Sequence, residues 1–462
     1  MRLAALVAAA LVAGCAVGPD YHRPAVAVPD AYRATERLPA GESLGDAAWD
    51  RVYADPKLRE LISTALRNNL DLKVAVARVD EARARLGATR LQYAPTIGAS
   101  GVVTRSKYSL DALTPGAARF QNSEAAVVTA SFELDLWGRL RRSNEAARAT
   151  LLSSEFARRT VESSLVAGVA DAYFTLLSLD AQLEITRRTV ATREKFVELT
   201  GAQYERGYAT GLDVATAEAQ AAVARGNVPD LERRIAQTED LLCVLLGENP
   251  HPIERPQRGE AMPESPPLPP PGLPSRLLER RPDVRAAEEA LHAANANVGV
   301  AKAALFPTIS LTGLAGTLSI PLGSLFKAQT LEWSAAASLV QPLLDPQRSL
   351  YQVDLADAQK REALYQYEKA VQSAFRDVAD ALVAYSKYGE FAVEQAKQVE
   401  ALQRAASIAL ARYRVGYASY FDVINADRDL FTAELALNQA HANSLVALVQ
   451  VYQVLGGGWQ EH

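Results

Sequence analysis

The chain is 462 residues long, with 49 Lys+Arg against 54 Asp+Glu and a formal net charge of −5. That length exceeds one ordinary core and suits two or three domains. The charge balance leaves no basic excess for nucleic acid and no polybasic tract for an anionic lipid surface.

Met1-Arg2 leads into an apolar run from Leu3 to Val12, followed by Ala13-Gly14-Cys15. A charged start, a short apolar core and small residues before a cleavage point make residues 1–14 a secretory signal. The run falls short of the ~20 apolar residues that span a bilayer. Leu11-Val12-Ala13-Gly14-Cys15 also looks like a bacterial lipobox, which makes Cys15 the lipidated first residue of the mature chain. An ordinary signal containing a cysteine is the alternative. Several acyl chains anchor a protein where one holds weakly, so residues 15–50 form a lipid-anchored N-terminal segment. Cys243, the other cysteine, sits among Leu241, Leu242, Val244 and Leu245 and reads as inert packing. No later run of about 20 apolar residues is expected, so a membrane crossing must use strands.

Residues 51–250 form a first repeat. Apolar Ile97, Ala99, Gly101 and Val103 alternate along the chain, and Val128, Ala130, Phe132, Leu134 and Leu136 alternate with Thr129, Ser131, Glu133 and Asp135. Period two with acids on one face predicts a β-hairpin near 95–138, suited to lipid outside and water inside. A coiled-coil hairpin is predicted at about 142–246. Val169, Leu176, Leu183, Val190, Val197 and Tyr204 recur every seven residues, the mark of left-handed supercoiling. Residues 142–206 lack proline and could reach roughly 95 Å as one helix. Gly207 stops it, and a returning helix carries Val214, Ala221, Val228, Ile235 and Leu242. Pro229 is expected to kink or break that helix.

A proline-rich linker occupies 251–274, and a second repeat runs over 275–458. Tyr204-Glu-Arg-Gly207-Tyr208-Ala209 matches Tyr413-Arg-Val-Gly416-Tyr417-Ala418 at a spacing of 209 residues. Val378, Tyr385, Ala392, Val399, Ala406 and Tyr413 repeat the seam at that spacing, and Val423, Leu430, Leu437, Ser444 and Val451 repeat the return. The second coiled-coil hairpin is set at about 347–455. Leu331, Trp333, Ala335, Ala337 and Leu339 alternate like the first strands, placing a second β-hairpin at about 305–345. Gly456-Gly457-Gly458 reads as a frayed, flexible end before a tail at 459–462. Four strands cannot close a membrane barrel, which starts at about eight. Either these are soluble hairpins or several chains pool their strands, and the anchor favours pooling.

Three motifs resemble the TolC-type outer-membrane factors, specifically the lipoprotein (NodT) branch that serves RND efflux systems. They are Cys15-Ala-Val-Gly18-Pro19-Asp20-Tyr21-His-Arg23-Pro24, Phe132-Glu-Leu-Asp135-Leu-Trp137-Gly-Arg139, and Leu273-Pro-Ser-Arg-Leu-Leu-Glu-Arg280-Arg281-Pro-Asp283-Val-Arg-Ala-Ala-Glu288. The resemblance implies a mainly α chain with a small β part. Three chains make an α-helical tunnel topped by a shared 12-stranded transmembrane β-barrel with four strands per chain. It implies a homotrimer in outer-membrane lipid that works with a periplasmic adaptor and an inner-membrane RND-type pump. The duct exports small molecules, and export of protein in a type I secretion system is the alternative.

The resemblance also places a periplasmic aperture at the hairpin tips. Asp422 matches the first aspartate of the family's constricting ring, and Asn425 stands where the second would be. Asp427 and Arg428 follow, and Tyr413 matches a tyrosine that links neighbouring hairpins. Tyr204 and Asp213 are the first-repeat counterparts, with Asp213 reading first as a helix cap. Three copies of Asp422 about 6 Å apart would repel by roughly 3 kcal/mol per pair at an effective dielectric near 20. No catalysis is expected: His22, His251, His292, His441 and His462 are scattered without metal-ligand spacing. No cofactor is expected beyond the diacylglycerol and N-acyl lipid on Cys15.

Overall fold

The computed structural model describes residues 16–32, 43–109, 118–255, 272, 274–341 and 346–459. Cys15, the signal, most of the proline-rich linker and the last three residues of the tail lie outside them. The elements are α1 (Trp49–Val52), α2 (Pro56–Asn68), α3 (Leu70–Leu91), β1 (Thr96–Lys107), β2 (Phe120–Leu134), α4 (Arg139–Glu205), α5 (Gly211–Leu246), α6 (Pro274–Arg280), α7 (Pro282–Ala303), β3 (Thr308–Ser319), β4 (Leu331–Val340), α8 (Pro346–Arg414) and α9 (Tyr420–Val454). Contacts divide the chain into two units, Met1–Ala25, Arg78–Glu155 and Ala286–Glu368 against Val26–Ala77, Phe156–Arg285 and Lys369–His462. Each unit draws on both sequence repeats, and α3, α4, α7 and α8 contribute residues to both.

The first unit holds one antiparallel sheet in the order β1-β2-β3-β4. Its register joins the alternations of separate strands into continuous faces. Ile97 faces Ala130 and Ala99 faces Val128, Val128 faces Ala315, and Ala315 faces Trp333. Because side chains alternate, one face carries Ile97, Val103, Val128, Phe132, Leu311 and Trp333. The other carries Thr104, Ser131, Glu133, Ser310, Glu332 and Ser338. Both faces are largely open on β1 and β4, and on the apolar one Ile97 is 72%, Val103 74% and Trp333 75% exposed. β1 and β4 are the two edges of the sheet within the chain.

The strands meet the helices through the Phe132–Arg139 motif. Glu133 receives two guanidinium hydrogen bonds from Arg139, at 2.9 and 2.7 Å. Asp135 accepts from the backbone N–H of Leu140 and Arg141, covering orphan donors at the start of α4. Trp137 donates its indole N–H to the Pro307 carbonyl at 2.8 Å and stacks on Phe306. Residues 16–24 lie in the same unit as a strap. Val17 N–H bonds the Trp137 carbonyl, Arg142 pairs with Asp20 at 2.7 Å, Tyr21 stacks on His292, and Arg23 pairs with Glu288.

In the second unit the helices pack through aliphatic seams, with Leu58, Ile62, Leu176, Leu242 and Leu382 nearly or wholly buried. Asp55 caps α2 with one carboxylate oxygen and accepts the Tyr173 hydroxyl with the other. The seven-residue line Val169, Leu176, Leu183 is fully packed, whereas Val190 and Val197 further along are less completely covered. There the burial falls on a second line three residues on: Thr186, Arg193 and Thr200 are at 0%, 4% and 0% exposure. Asp171 lies in the packed stretch. Burial pushes its carboxyl up to about 7, and its Oδ1 has no hydrogen-bond partner among the described residues.

The structure corrects three expectations. Helix α5 runs unbroken through Pro229. Proline costs an interior helix ~3 kcal/mol, but buried Ala221 and Ala224 before it and Leu231 and Ile235 after it tie both sides to neighbouring helices. The Gly456–Gly458 stretch is buried, not frayed: a Cβ on Gly457 would lie 2.3 Å from the Tyr452 ring. The Ser163 hydroxyl donates to the Gly457 carbonyl, and the Gly458 N–H donates to the Tyr452 hydroxyl. Finally, α4 does contain a stretch long and apolar enough to cross a membrane by composition. Some 67% of it is buried inside the protein, as core.

Candidate aperture site at the hairpin tips

Both tips belong to the second unit. After α4 the Gly207 N–H bonds the Tyr204 carbonyl and the Tyr208 N–H reaches the Gln203 carbonyl. After α8 the Gly416 N–H bonds the Tyr413 carbonyl and the Tyr417 N–H reaches that of Arg412. This pairing needs a left-handed residue, and Gly207 and Gly416 supply it at φ 78° and 80°. The returning helices start on matching chemistry. Thr210 and Asp213 form a capping box at α5, and Ser419 and Asp422 form one at α9.

Asp422 is therefore first of all a helix cap. It accepts the Ser419 backbone N–H at 2.9 Å, and its own N–H donates to the Ser419 hydroxyl. Hydrogen bonding holds its carboxyl below the usual carboxylate range, with the Ser419 hydroxyl the larger cause and the Ser419 backbone the next. It is fully exposed and ionised at neutral pH, as a charge ring requires. Asp213 makes the same box at the first tip, in keeping with its reading as a cap. Arg428 pairs with its neighbour Asp429 at 3.0 Å and not with Asp422. Asn425 is half-buried. Tyr204 is 55% exposed.

Tyr413 and Asp427 instead tie the two hairpins of one chain together. The Tyr413 hydroxyl donates to Gln203 on α4. Burial first, and the charge of Asp213 second, raise the Tyr413 hydroxyl above its ordinary value. Asp427 on α9 pairs with Arg193 on α4, Nε to Oδ2 2.9 Å. Arg193 also donates to the Gln220 carbonyl on α5 at 3.1 Å, and its guanidinium lies 5.3 Å from the Phe431 ring centroid. One buried cation thus joins three helices. Beside it α4, α8 and α9 enclose a cleft of about 290 Å³ that includes Phe196, Leu410, Asp427 and Phe431. Arg193 escapes a search for apolar residues every seven positions, because it is a charged residue on the seam. Its signal is the spacing of Ala172, Leu179, Thr186, Arg193 and Thr200, all buried.

A family model described as "Outer membrane efflux protein" matches residues 61–248 and 273–457. The chain belongs to this family. This outer membrane efflux protein is 36% identical over 467 residues to the toluene efflux pump outer membrane protein TtgC of Pseudomonas putida, covering 99% of this chain and 96% of that one. It is 33% identical over 471 residues to the outer membrane protein OprJ of Pseudomonas aeruginosa, covering 99% and 96%. Among solved structures, the outer-membrane channel OprN superposes with a TM-score of 0.89 at 31% identity, covering 97% of this chain and 100% of that one. The mainly helical chain with four antiparallel strands expected from its motifs is the fold of this efflux protein.

Proposed function

We propose that this outer membrane efflux protein is the lipid-anchored exit duct of a tripartite pump, passing small apolar or amphiphilic molecules to the exterior. Three chains pool four strands each into a 12-stranded barrel, and the helical hairpins receive cargo from a periplasmic adaptor and an RND-type inner-membrane pump. The observation that carries this reading is the sheet. All four strands share one mainly apolar face and one face lined mainly by Ser, Thr and Glu, as suits a wall between lipid and a water-filled lumen. Lipid on Cys15 would enter the membrane beside the strap that leads to the strand–helix joint. A relative named for toluene efflux favours small apolar cargo. The efflux family model and the toluene efflux relative favour efflux, and the protein-export alternative is set aside.

The duct closes at the hairpin tips. Tyr204, Asp213, Tyr413, Asp422, Asn425, Asp427 and Arg428 shape the closed end, with Asp422 as the ring charge and Asp427 as a tie to the first hairpin. Such a duct has no chemical step to catalyse. The test is retention of a fluorescent efflux substrate in energised cells lacking sister ducts. Deletion of the gene raises retention and the intact gene reverses it. Equal retention with and without the gene would refute a small-molecule duct.

A further inference from the structure

The apolar face of the sheet changes chemistry at its end farthest from the helices. On β2 that face runs from Leu134 to Ala126, roughly 27 Å along the strand and about 20 Å of depth at a ~40° tilt. That is most of the ~25 Å apolar band of a membrane barrel. Beyond it, Arg105 and Lys107 lie two residues apart on β1, on the same face as Ile97 and Val103. The register sets Phe120 opposite Lys107 and Asn122 opposite Arg105. Both cations gather on the Phe120 ring, the Arg105 guanidinium 5.7 Å and the Lys107 ammonium 5.8 Å from its centroid. Among the described residues neither forms an ion pair with an acid. Glu124, one pair nearer the band, is buried, and its Oε2 is left without a partner among the described residues.

Two cations that have no acidic partner among the described residues, on the lipid side at the outer end of an apolar band, meet headgroups and not hydrocarbon. We infer that Arg105 and Lys107, seated on Phe120, bind the phosphate groups of anionic lipid headgroups in the outer leaflet. The inference rests on the membrane-barrel reading above. Guanidinium and ammonium make short charge-assisted hydrogen bonds to phosphate, Arg in a bidentate fork and Lys as a point charge. The aromatic ring holds both cations at one level, and the sheet fixes their spacing.

The assembled full-length protein in neutral detergent, titrated with diphosphoryl lipid A or with its dephosphorylated form and read by native mass spectrometry, tests this. The wild type should bind the diphosphoryl lipid at least ~tenfold more tightly than the dephosphorylated one, with the preference shrinking as salt rises. R105Q/K107Q should lose that preference while keeping the same heat-modifiable assembly, and K327Q on the other hairpin should keep it. Equal preference in R105Q/K107Q and wild type, or no preference in the wild type, overturns the headgroup site and leaves the barrel standing. A wild-type chain that gives no heat-modifiable assembly overturns the barrel reading and this inference with it.

Discussion

Replacing Asp427 by Ala isolates the tie between the two hairpins. Arg193 has 5% of its side chain exposed and Asp427 has 23%. Removing one partner of a buried pair typically costs ~3–5 kcal/mol because the other charge stays buried. Here Arg193 keeps the Gln220 carbonyl and the Phe431 face, and Asp427 is partly screened by water. A loss of ~2 kcal/mol is the better figure, or about a thirtyfold shift in the ratio of tied to untied hairpins. Since the tie lies on α4 twelve residues before its end at Glu205, its loss should free the tip. Single-channel recordings should show Asp427→Ala with higher conductance or more frequent openings, and Arg193→Met should do the same. The two changes together should add little to either one, giving a coupling of at least ~1.5 kcal/mol in the thermal midpoint cycle. Additive effects, or wild-type conductance in both single variants, would refute the tie.

Three further outcomes follow from the same geometry. Asp171→Asn should stabilise the detergent-solubilised protein at about pH 8 and hardly at all at about pH 4. The folded carboxyl titrates at about 7 against ~4 in the unfolded chain, so its charging costs stability progressively from about pH 4 to 7, reaching ~4 kcal/mol at most. A pH-independent gain in thermal midpoint would contradict that. Gly416→Ala, at φ 80°, should cost ~1 kcal/mol and unfasten the second tip, seen as faster proteolysis near Arg414. Asp422→Ala or Arg428→Ala should change single-channel conductance without abolishing assembly, and unchanged conductance in both would remove the charge ring.

What could be read in the sequence was what repeats with a simple period. The alternation at Val128–Leu134 and Leu331–Leu339 carries through the register to a shared face because pleating sends successive side chains to opposite sides. The tips were legible from Gly207 and Gly416, since a left-handed stop has few residues to choose from. Arg193 was not, because its place on the seam depends on Asp427, Gln220 and Phe431, two of them more than 200 residues away. Pro229 misled because a local penalty was weighed without the packing on either side of it. The Gly456–Gly458 triplet misled for the opposite reason: glycine composition suggested looseness, while Tyr452 and Ser163 demanded close approach.

The two edges of the sheet carry a consequence for how the protein is made. Among the described residues β1 and β4 each end the sheet with an unpaired row of backbone groups, and such rows seek any strand they meet. The β4 edge of one chain can join the β1 edge of the next, a head-to-tail contact that ends in a ring if the rotation closes and in an open chain if it does not. On the trimer reading, supply of finished ducts should therefore fall more steeply than supply of chains, approaching the third power of their concentration in the membrane. A cell that halves synthesis would lose far more than half its exits, and one that overproduces without enough membrane would accumulate strand-paired aggregates.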